Sequence, residues 1–266
     1  MKRVIVCGGC GKMASTVALQ ILNEKDLQLV GIIEAPDCPS LGNDWGKVMG
    51  LGDKDIIVEP DLEASINQCD VVTDFTNPEA TIEHLETCVK HKKAMIIGTT
   101  GLSNEQIEKI KNAALKIPVV FSPNMSLGVN LLFELVKKVS RVLDDNYDIE
   151  LVETHHRYKK DAPSGTAKKI AELIAIEKGV DLDDVAVFGR EGNVGQRKKG
   201  EIGIHAVRAG NINGEHSVIF NSLGECLEIT HRAYSREAFA QGTITAIHFI
   251  FDKSKGFFSM KDVLNL

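Results

Sequence analysis

The sequence predicts an α/β fold with a doubly wound parallel sheet and a second, α+β domain whose sheet is mixed or antiparallel. From residue 3 to about residue 122, short β-rich runs alternate with stretches of helical period. Strand and helix in repetition are typical of a doubly wound sheet. After Asn124 the pattern changes to long helices and alternating strands. We therefore expect two domains, one formed by residues 1–126 with 236–266 and the other by residues 127–235.

The strands of the first domain are predicted from short runs rich in Val and Ile, which are typical of parallel strands covered on both faces. These runs are residues 3–7, 27–34, 56–59, 70–75, 94–98 and 118–122. Helices are predicted between them from apolar residues at four-residue spacing, such as Met13, Val17 and Ile21. Ser103 with Gln106 predicts a capping box at the start of a further helix.

The second domain is predicted from a different order of elements. An amphipathic helix from residue 128 to about 143 leads into a strand at 148–155 and a helix near 164–178. Residues 203–208, 216–221 and 225–230 then alternate as antiparallel strands do. The last thirty residues return to a helix with Phe239, Ile247 and Phe251, which we expect to pack on the first domain.

Composition excludes several classes of function. The 31 basic and 37 acidic residues give a net charge of −6, which opposes non-specific attraction to nucleic acid or anionic lipid. No apolar run approaches the roughly eighteen residues of a membrane span. The apolar stretch after the two basic residues of the N-terminus is too short for a signal peptide. We expect a cytoplasmic protein that binds neither nucleic acid nor membranes.

The six cysteines are scattered along the chain, so we expect no disulfides and mostly small buried thiols. Cys7 and Cys10 have the C-x-x-C spacing of a redox dithiol or of half a zinc site. No second C-x-x-C follows, and both intervening residues are glycine. A metal site is not predicted, but the dithiol remains an alternative.

A glycine-rich loop joins the first predicted strand to the first predicted helix. Its spacing is G-x-x-G-x-x-A, with Gly8 for a tight turn, Gly11 for close approach of a phosphate and Ala14 for close packing of helix on strand. The helix start supplies unpaired N–H donors and the positive end of its dipole. An ordinary strand–helix turn is the alternative. The context favours a Rossmann-like, dinucleotide-binding first domain.

Glu34 ends the second predicted strand, where a carboxylate can accept hydrogen bonds from the adenosine ribose. The next residues are Ala35 and Pro36, so no arginine stands beside it to pair with a 2′-phosphate. NADH is therefore favoured, although Lys12 could reach such a phosphate and NADPH remains possible. The alternative for Glu34 is a surface glutamate.

A second segment that resembles a ligand site, an anion site in this case, lies in residues 153–167. His155, His156, Arg157, Lys159 and Lys160 stand close together in an acidic protein, just before a predicted helix start. Ser164 can cap that helix, which would leave the N–H groups of Gly165 and Thr166 to receive a carboxylate. His155 and Lys159 suit proton delivery during a reduction. A solvated basic turn is the alternative.

Seven segments carry a more specific resemblance. They are VCGGCGKM, DFTNPEAT, GTTGL, SPNMSLGVNLL, THHRYKKDAPSGTA, GEIGIHAVRAGNINGEHSVIF and EITHRAYSREAFAQG. In this order, along nearly the whole chain, they closely resemble the 4-hydroxy-tetrahydrodipicolinate reductase family of the diaminopimelate route to lysine. The sequence departs from the common pattern of that family at Ala14, Ala80 and Ser122.

The resemblance implies roles for individual residues. His155 would be a proton donor or acceptor and Lys159 a proton donor. Substrate carboxylates would be bound by His156, Gly165 and Thr166, with Thr100 near both ligands. Arg236 is a weaker candidate for cofactor binding. The implied cofactor contacts are Gly8, Gly9, Cys10, Gly11, Lys12, Met13, Glu34, Gly98, Thr99, Thr100, Ser122, Pro123, Asn124 and Met125.

The expected activity is therefore NAD(P)H-dependent reduction of a small cyclic dicarboxylate, 4-hydroxy-tetrahydrodipicolinate, to tetrahydrodipicolinate with loss of water. The resemblance also implies a homotetramer. Two alternatives remain: a related dehydrogenase acting on an amino or keto dicarboxylate, and a dinucleotide sensor without catalysis. A sensor has no need of His155 and Lys159, and no DNA-reading helix-turn-helix accompanies the glycine loop.

Overall fold

The computed structural model describes all 266 residues, Met1–Leu266. The chain divides into two units, Met1–Leu127 with Glu237–Leu266, and Gly128–Arg236. Each boundary lies one residue from the expected one, whereas the ligand that each unit binds stays a prediction. None of the helices combines the length and apolar character that a membrane span needs.

The first unit contains a seven-stranded sheet in which every pairing is parallel. The strand order is β12-β6-β5-β4-β1-β2-β3, with strand numbers following the chain. This sheet confirms the predicted doubly wound fold class. The strands are β1 (Lys2–Cys7), β2 (Leu27–Ile33), β3 (Val58–Glu59), β4 (Val71–Asp74), β5 (Ala94–Ile97), β6 (Pro118–Phe121) and β12 (Gly256–Phe258).

Helices cover both faces of this sheet, which explains its Val/Ile runs. Within β1, Val4 and Val6 join one core cluster and Ile5 and Cys7 join the other. The predicted capping box at Ser103 is confirmed. A 3-10 turn spans Ile66–Gln68, and the helices are α1 (Lys12–Asn23), α2 (Trp45–Val48), α3 (Leu62–Ser65), α4 (Pro78–His91), α5 (Asn104–Ala113), α9 (Glu237–Ile250) and α10 (Met260–Leu264).

Two details of this unit differ from the expectation. Residues 56 and 57 do not extend β3, because the Asp44 carboxylate accepts the N–H of Ile56 at 3.0 Å and Ile57 forms an antiparallel bridge to Asp44. Phe251 lies just beyond the end of α9.

The second unit contains a five-stranded mixed sheet in the order β11-β10-β7-β9-β8. The antiparallel direction expected for residues 203–208 is wrong, since β9 runs parallel to β7. The long segment between these strands returns the chain to the same end of the sheet, as a parallel pairing requires. The elements are α6 (Leu127–Val142), β7 (Asp148–His155), α7 (Gly165–Lys178), α8 (Leu182–Val185), β8 (Ala186–Phe188), β9 (Ile202–Arg208), β10 (Gly214–Asn221) and β11 (Cys226–Ala233).

The core of the second unit lies on one face of this sheet. Strand β7 alternates so that Ile149, Leu151, Glu153 and His155 are buried. The first two pack with α7 in the core, whereas the last two bring polar side chains to the same face. Alternation thus places Glu153 and His155 side by side.

Candidate active site

The glycine loop between β1 and α1 forms a cradle that side chains would fill. Gly8 has a φ of +81°, and a Cβ there would lie 2.8 Å from the carbonyl oxygen of Phe75. At Gly9 a Cβ would lie 2.6 Å from the Ile32 side chain. Gly11 is the N-cap of α1 and makes no side-chain cap. Because backbone N–H groups at a helix start receive phosphates well, these residues fit the pyrophosphate of a dinucleotide.

Trp45, which the sequence analysis did not single out, supports this loop. Its side chain is fully buried, and its Nε1–H donates to the carbonyl oxygen of Gly9 at 2.9 Å. The N-cap Asp44 accepts from the N–H of Lys47 and so positions the short helix that carries Trp45. It is the only tryptophan in the chain, which is the one signal that could have drawn attention to it.

Glu34 also contacts the loop. Its Oε1 accepts the N–H of Cys10 at 2.6 Å, and its Oε2 accepts the N–H of Ala35 at 3.3 Å. A carboxylate has about four lone-pair sites, so further donors such as ribose hydroxyls can still be accepted. The structure therefore brings Glu34 to the glycine loop, and its role as a ribose ligand stays a prediction.

The environment of the C-x-x-C pair disfavours thiolate chemistry. Burial raises the pKa of Cys7 well above its usual value, with a further contribution from Asp74. Burial and then the charge of Glu34 raise the pKa of Cys10 to about 11. A reactive or metal-ligating cysteine needs the thiolate. These pKa shifts disfavour the thiolate form at both positions, Cys7 in β1 and Cys10 in the loop.

Asp74, at the carboxyl end of β4, organises the neighbouring strand ends. It is fully buried, and its Oδ1 accepts the hydroxyls of Thr76, Thr81 and Thr99 at 2.7 to 2.8 Å. Its Oδ2 lies 2.6 Å from Nδ1 of His84. Burial opposes ionisation of Asp74, but these hydrogen bonds and His84 lower its pKa. The Thr99 hydroxyl is thus held inside the unit, so a cofactor would meet its backbone.

Gly98 and Thr100, on either side of Thr99, lie in different environments. A Cβ at Gly98 would collide with the ring of Phe75, which gives a packing reason for glycine there. Thr100 is exposed, and its side chain is available to ligands.

The predicted cofactor segment 122–125 is a turn at the carboxyl end of β6. The Ser122 hydroxyl donates to the carbonyl of Asn124 at 2.7 Å, and Asn124 Oδ1 accepts the N–H of Ser126 at 2.9 Å. Pro123 is exposed, whereas Met125 is 2% exposed and packs in the core. A ligand at this turn would therefore meet backbone, Pro123 and the Asn124 amide rather than the Met125 side chain.

Glu34, the glycine loop, Asp74, residues 98–100 and residues 122–125 all lie at or just after the carboxyl ends of neighbouring parallel strands. In this order the strands are β2, β1, β4, β5 and β6. That edge is where open α/β sheets bind ligands. The structure thus brings most of the predicted cofactor residues to one edge of one sheet.

In the second unit, His155 is paired with a buried carboxylate. Its Nδ1 lies 2.6 Å from Oε2 of Glu153, and the two rings of His155 and His216 meet edge to face at 5.2 Å between centroids. Burial lowers the pKa of His155, and Glu153 opposes that effect. Burial, with His155 nearby, lowers the pKa of His216 to about 3.

Lys159 and His156 lie in the turn that follows β7. The Lys159 ammonium forms an ion pair with Asp161 at 2.9 Å, and the backbone N–H of Lys159 donates to the carbonyl of His156 at 3.1 Å. The Nδ1 atom of His156 is buried and has no hydrogen-bond partner. These residues present both a cation and an imidazole next to the start of α7 in the sequence.

The predicted cap of α7 is present. The Ser164 hydroxyl accepts the N–H of Ala167 at 3.1 Å and lies 3.1 Å from Nε2 of His216. Gly165 is exposed and Thr166 is partly buried. The first N–H groups of a helix have no partner within it, so the start of α7 can receive a carboxylate.

Comparison with known proteins assigns nearly the whole chain to one family. The family model described as dihydrodipicolinate reductase, N-terminus, matches residues 2–125, and the model described as dihydrodipicolinate reductase, C-terminus, matches residues 128–264. The chain belongs to the dihydrodipicolinate reductase family. NAD(P)H use follows from membership of this reductase family together with its dinucleotide-binding domain.

Relatives of this reductase family match over the full length. The chain is 45% identical over 264 residues to the 4-hydroxy-tetrahydrodipicolinate reductase of Syntrophus aciditrophicus, which covers 99% of the chain and 98% of the relative. It is 43% identical over 266 residues to that of Syntrophotalea carbinolica, with both chains fully covered. The fold is similar to that of a dipicolinate-bound dihydrodipicolinate reductase from Paenisporosarcina sp. TG-14, with a TM-score of 0.79, 24% identity and coverage of 98% and 99%.

Sequence reasoning missed several residues that surround the candidate site. Glu153 and His216 contact His155, Arg208 holds Glu153, and Asp74 and Trp45 support the strand ends and the glycine loop where the cofactor is predicted to bind. The alternation along β7 could have indicated Glu153, because it places that residue on the face of His155. Arg236, the weaker candidate, is exposed.

Proposed function

We propose that this protein reduces 4-hydroxy-tetrahydrodipicolinate to tetrahydrodipicolinate with NAD(P)H and loss of water, in the diaminopimelate route to lysine. Full-length relatives that carry this name support the substrate. The observation that carries the proposal is the imidazole of His155, which is hydrogen-bonded to Glu153. It lies in the same unit as Lys159 and the capped start of α7.

Different residues of this chain have different roles in the proposed reaction. When bound, the reduced nicotinamide supplies a hydride. The start of α7 with His156 receives the substrate carboxylates, because its N–H groups and dipole favour anions. Lys159 delivers the proton that accompanies departure of the hydroxyl as water. His155 gives or takes a proton at Nε2, the ring nitrogen that Glu153 does not engage.

A spectrophotometric assay tests this function. Freshly made condensation product of pyruvate and aspartate semialdehyde should cause loss of NADH absorbance in the presence of the protein. The double variant His155→Ala with Lys159→Ala should nearly abolish turnover, while NADH binding survives because the glycine loop is intact. Lys160→Ala, an exposed neighbour of the same charge, is the matched control and should retain turnover.

Retention of wild-type turnover by the double variant would refute the proposed roles of His155 and Lys159. The same assay separates the alternatives. A dehydrogenase of an amino or keto dicarboxylate would oxidise NADH with the keto compound, together with ammonia where an amine is formed, or would reduce NAD⁺ with the amino compound. It would not act on the condensation product, and a sensor would bind NADH without oxidising it.

NADH should be preferred to NADPH. Glu34 contacts the glycine loop, and Ala35 and Pro36 follow it in the sequence. A carboxylate at this position repels the 2′-phosphate that NADPH carries. We therefore expect a lower Michaelis constant for NADH than for NADPH, measured at saturating substrate. A clear kinetic preference for NADPH would contradict this role of Glu34.

Assembly as a homotetramer is proposed on the family resemblance and on the five-stranded sheet. The face opposite its core leaves Val207 exposed and Val152 and Ile219 partly exposed. Light scattering on the eluting peak of a gel-filtration column should give four times the chain mass, and a monomer would contradict the proposal.

A further inference from the structure

Glu153 occupies a core position of β7 and carries a charge there. Its side chain is fully buried, on the face that Ile149 and Leu151 share with it. A carboxylate in such a place is costly unless it is hydrogen-bonded and paired. A residue of this kind therefore needs a reason beyond packing.

Four donors surround this carboxylate. Arg208 donates to both oxygens at 2.8 Å in a bidentate pair. The backbone N–H of Ser164 donates to Oε1 at 3.0 Å, and Nδ1 of His155 lies 2.6 Å from Oε2. Burial opposes ionisation, but Arg208 and His155 lower the pKa of Glu153. The group is thus an ionised acceptor near neutral pH.

An ionised carboxylate only accepts hydrogen bonds, so the proton of neutral His155 must sit on Nδ1. Nε2 is then the basic atom of the ring. A Cβ at Gly214 would lie 3.1 Å from Nε2, and the glycine leaves that side of the ring uncovered. The carboxylate and the glycine together define which nitrogen of His155 can act.

We propose that Glu153 is a positioning residue for the reaction: it fixes His155 with Nε2 as the proton-exchanging atom and, through the Ser164 N–H, ties that ring to the start of α7. This inference rests on the proposed function. It assigns one buried carboxylate to both the acid–base group and the anion-receiving helix start, so the two are held in a single hydrogen-bonded cluster.

A merely structural role for Glu153 predicts different behaviour. If it served only to hold Arg208 and the loop before α7, the tautomer of His155 would be immaterial to turnover. The tautomer can be read directly from the wild-type protein. The ¹⁵N NMR spectrum of protein labelled in its eight histidines, with His155 assigned by comparison with His155→Gln, should show protonation at Nδ1 near neutral pH. Protonation at Nε2 would overturn the proposal, whatever the variants do.

The variant Glu153→Gln keeps the shape but lets an amide N–H face the ring, so it should shift His155 towards the Nε2–H tautomer. We expect kcat to fall on the order of 10²-fold, at the lower end of the range for a positioned acid or base. NADH binding should be unchanged. It can be followed by quenching of Trp45, the single tryptophan, which donates to the glycine loop.

Glu150→Gln is the matched control. Glu150 lies on the opposite face of the same strand and is likewise held by a histidine and two arginines, His205, Arg190 and Arg197. It does not contact the cluster of His155. We expect the control to keep the wild-type kcat and His155 tautomer. An equal fall in kcat for both variants would indicate damage to the sheet and would overturn the proposal.

The pH profile gives a further readout. The charged and titratable groups that face His155 are Glu153, which is negative, Lys159 and Arg208, which are positive, and the imidazole of His216. Removal of the negative neighbour disfavours the imidazolium, so the pKa of His155 should fall in Glu153→Gln. The limb of the kcat profile that reports this residue should move to lower pH. An unmoved profile would overturn the proposal.

These outcomes are distinguishable from failure of the proposed function. If the wild-type protein does not oxidise NADH with the condensation product, the function fails, and the inference falls with it. If the wild type turns over and Glu153→Gln matches it in kcat and pH profile, only the role of Glu153 fails.

Discussion

Two buried carboxylates, Asp74 and Glu153, each lie 2.6 Å from Nδ1 of a histidine. Their other donors differ. Asp74 accepts threonine hydroxyls at the end of β4, whereas Glu153 accepts the guanidinium of Arg208. A buried carboxylate needs such donors to stay ionised. Each therefore fixes the backbone around it: Asp74 at the carboxyl ends of the parallel strands and Glu153 at the start of α7.

Asp74→Asn should lower the free energy of unfolding by about 2 kcal/mol, because a neutral amide oxygen accepts the three threonine hydroxyls more weakly than the carboxylate and the amide NH2 cannot accept from His84. It should also weaken NADH binding, because Thr99 and Thr76 are held less firmly. Denaturant unfolding and Trp45 quenching measure the two effects.

The control for this prediction is Asp70→Asn. Asp70 precedes the same strand and forms a partly exposed ion pair with Arg3, so its loss should cost under about 1 kcal/mol. Equal losses for both variants would contradict the special position of Asp74.

How far individual residues could be predicted depended on the range of their contacts. Ser103 and Ser164 were identified as caps because their partners lie three residues away. Trp45 and Arg208 were not, because Trp45 meets Gly9 across 36 positions and Arg208 meets Glu153 across 55. The single sequence carries no local pattern for such pairs.

At the scale of elements, β7 carries the buried carboxylate of Glu153 on one face and the carboxylate of Glu150, which binds a loop, on the other. In the segment of residues 190–199, Arg190 and Arg197 both donate to Glu150 at 3.0 Å. Gly203 on the neighbouring strand leaves room for that carboxylate, since a Cβ there would collide with it. The arginines thus attach the connection between β8 and β9 to the sheet.

Glu150 should contribute acid-dependent stability. Burial opposes its ionisation, but hydrogen bonds from Arg190, His205 and Arg197 bring its pKa to about 2, from 4.5. Because the folded-state pKa is depressed, the contribution is present above pH 4.5 and is lost as the pH falls towards 2. Its size is at most on the order of 3 kcal/mol.

Glu150→Gln should therefore flatten the dependence of unfolding free energy on pH between 4.5 and 2, measured by denaturant titration. It should also expose the 190–199 segment to limited proteolysis. An unchanged slope would contradict the ion pairs as the cause.

Elements with a clear period could be predicted, and short ones could not. Residues 148–155 match β7 in full, because its buried face repeats every second residue. Strands β8 and β12 have three residues each and show no period. The direction of β9 was also hidden, because it depends on the path of the chain between strands rather than on their residues.

At the scale of the whole molecule, the last residues of the chain complete the first unit. Strand β12 pairs with β6 at the edge of the seven-stranded sheet, and Met260 of α10 is fully buried in its core. Met260→Ala should therefore lower the free energy of unfolding by about 2–5 kcal/mol.

Leu115→Ala, at a site 70% exposed in the same unit, is the control and should change stability little. Thermal unfolding with both variants measures the difference. A similar effect of the two would mean that the C-terminal segment contributes nothing to the core.

The insertion of Gly128–Arg236 into the first unit has a consequence for synthesis on the ribosome. The second unit is continuous and can fold as soon as it leaves the exit tunnel. The first unit cannot, because the core around α1 is completed only by Ala240, Ile244 and Ile247 of α9. In the same way, β6 gains its second neighbour only when β12 has been synthesised. The usual order, in which the N-terminal domain folds first, is thus reversed. Until α9 and β12 have been synthesised, the incomplete parallel sheet leaves part of its apolar surface uncovered in the nascent chain.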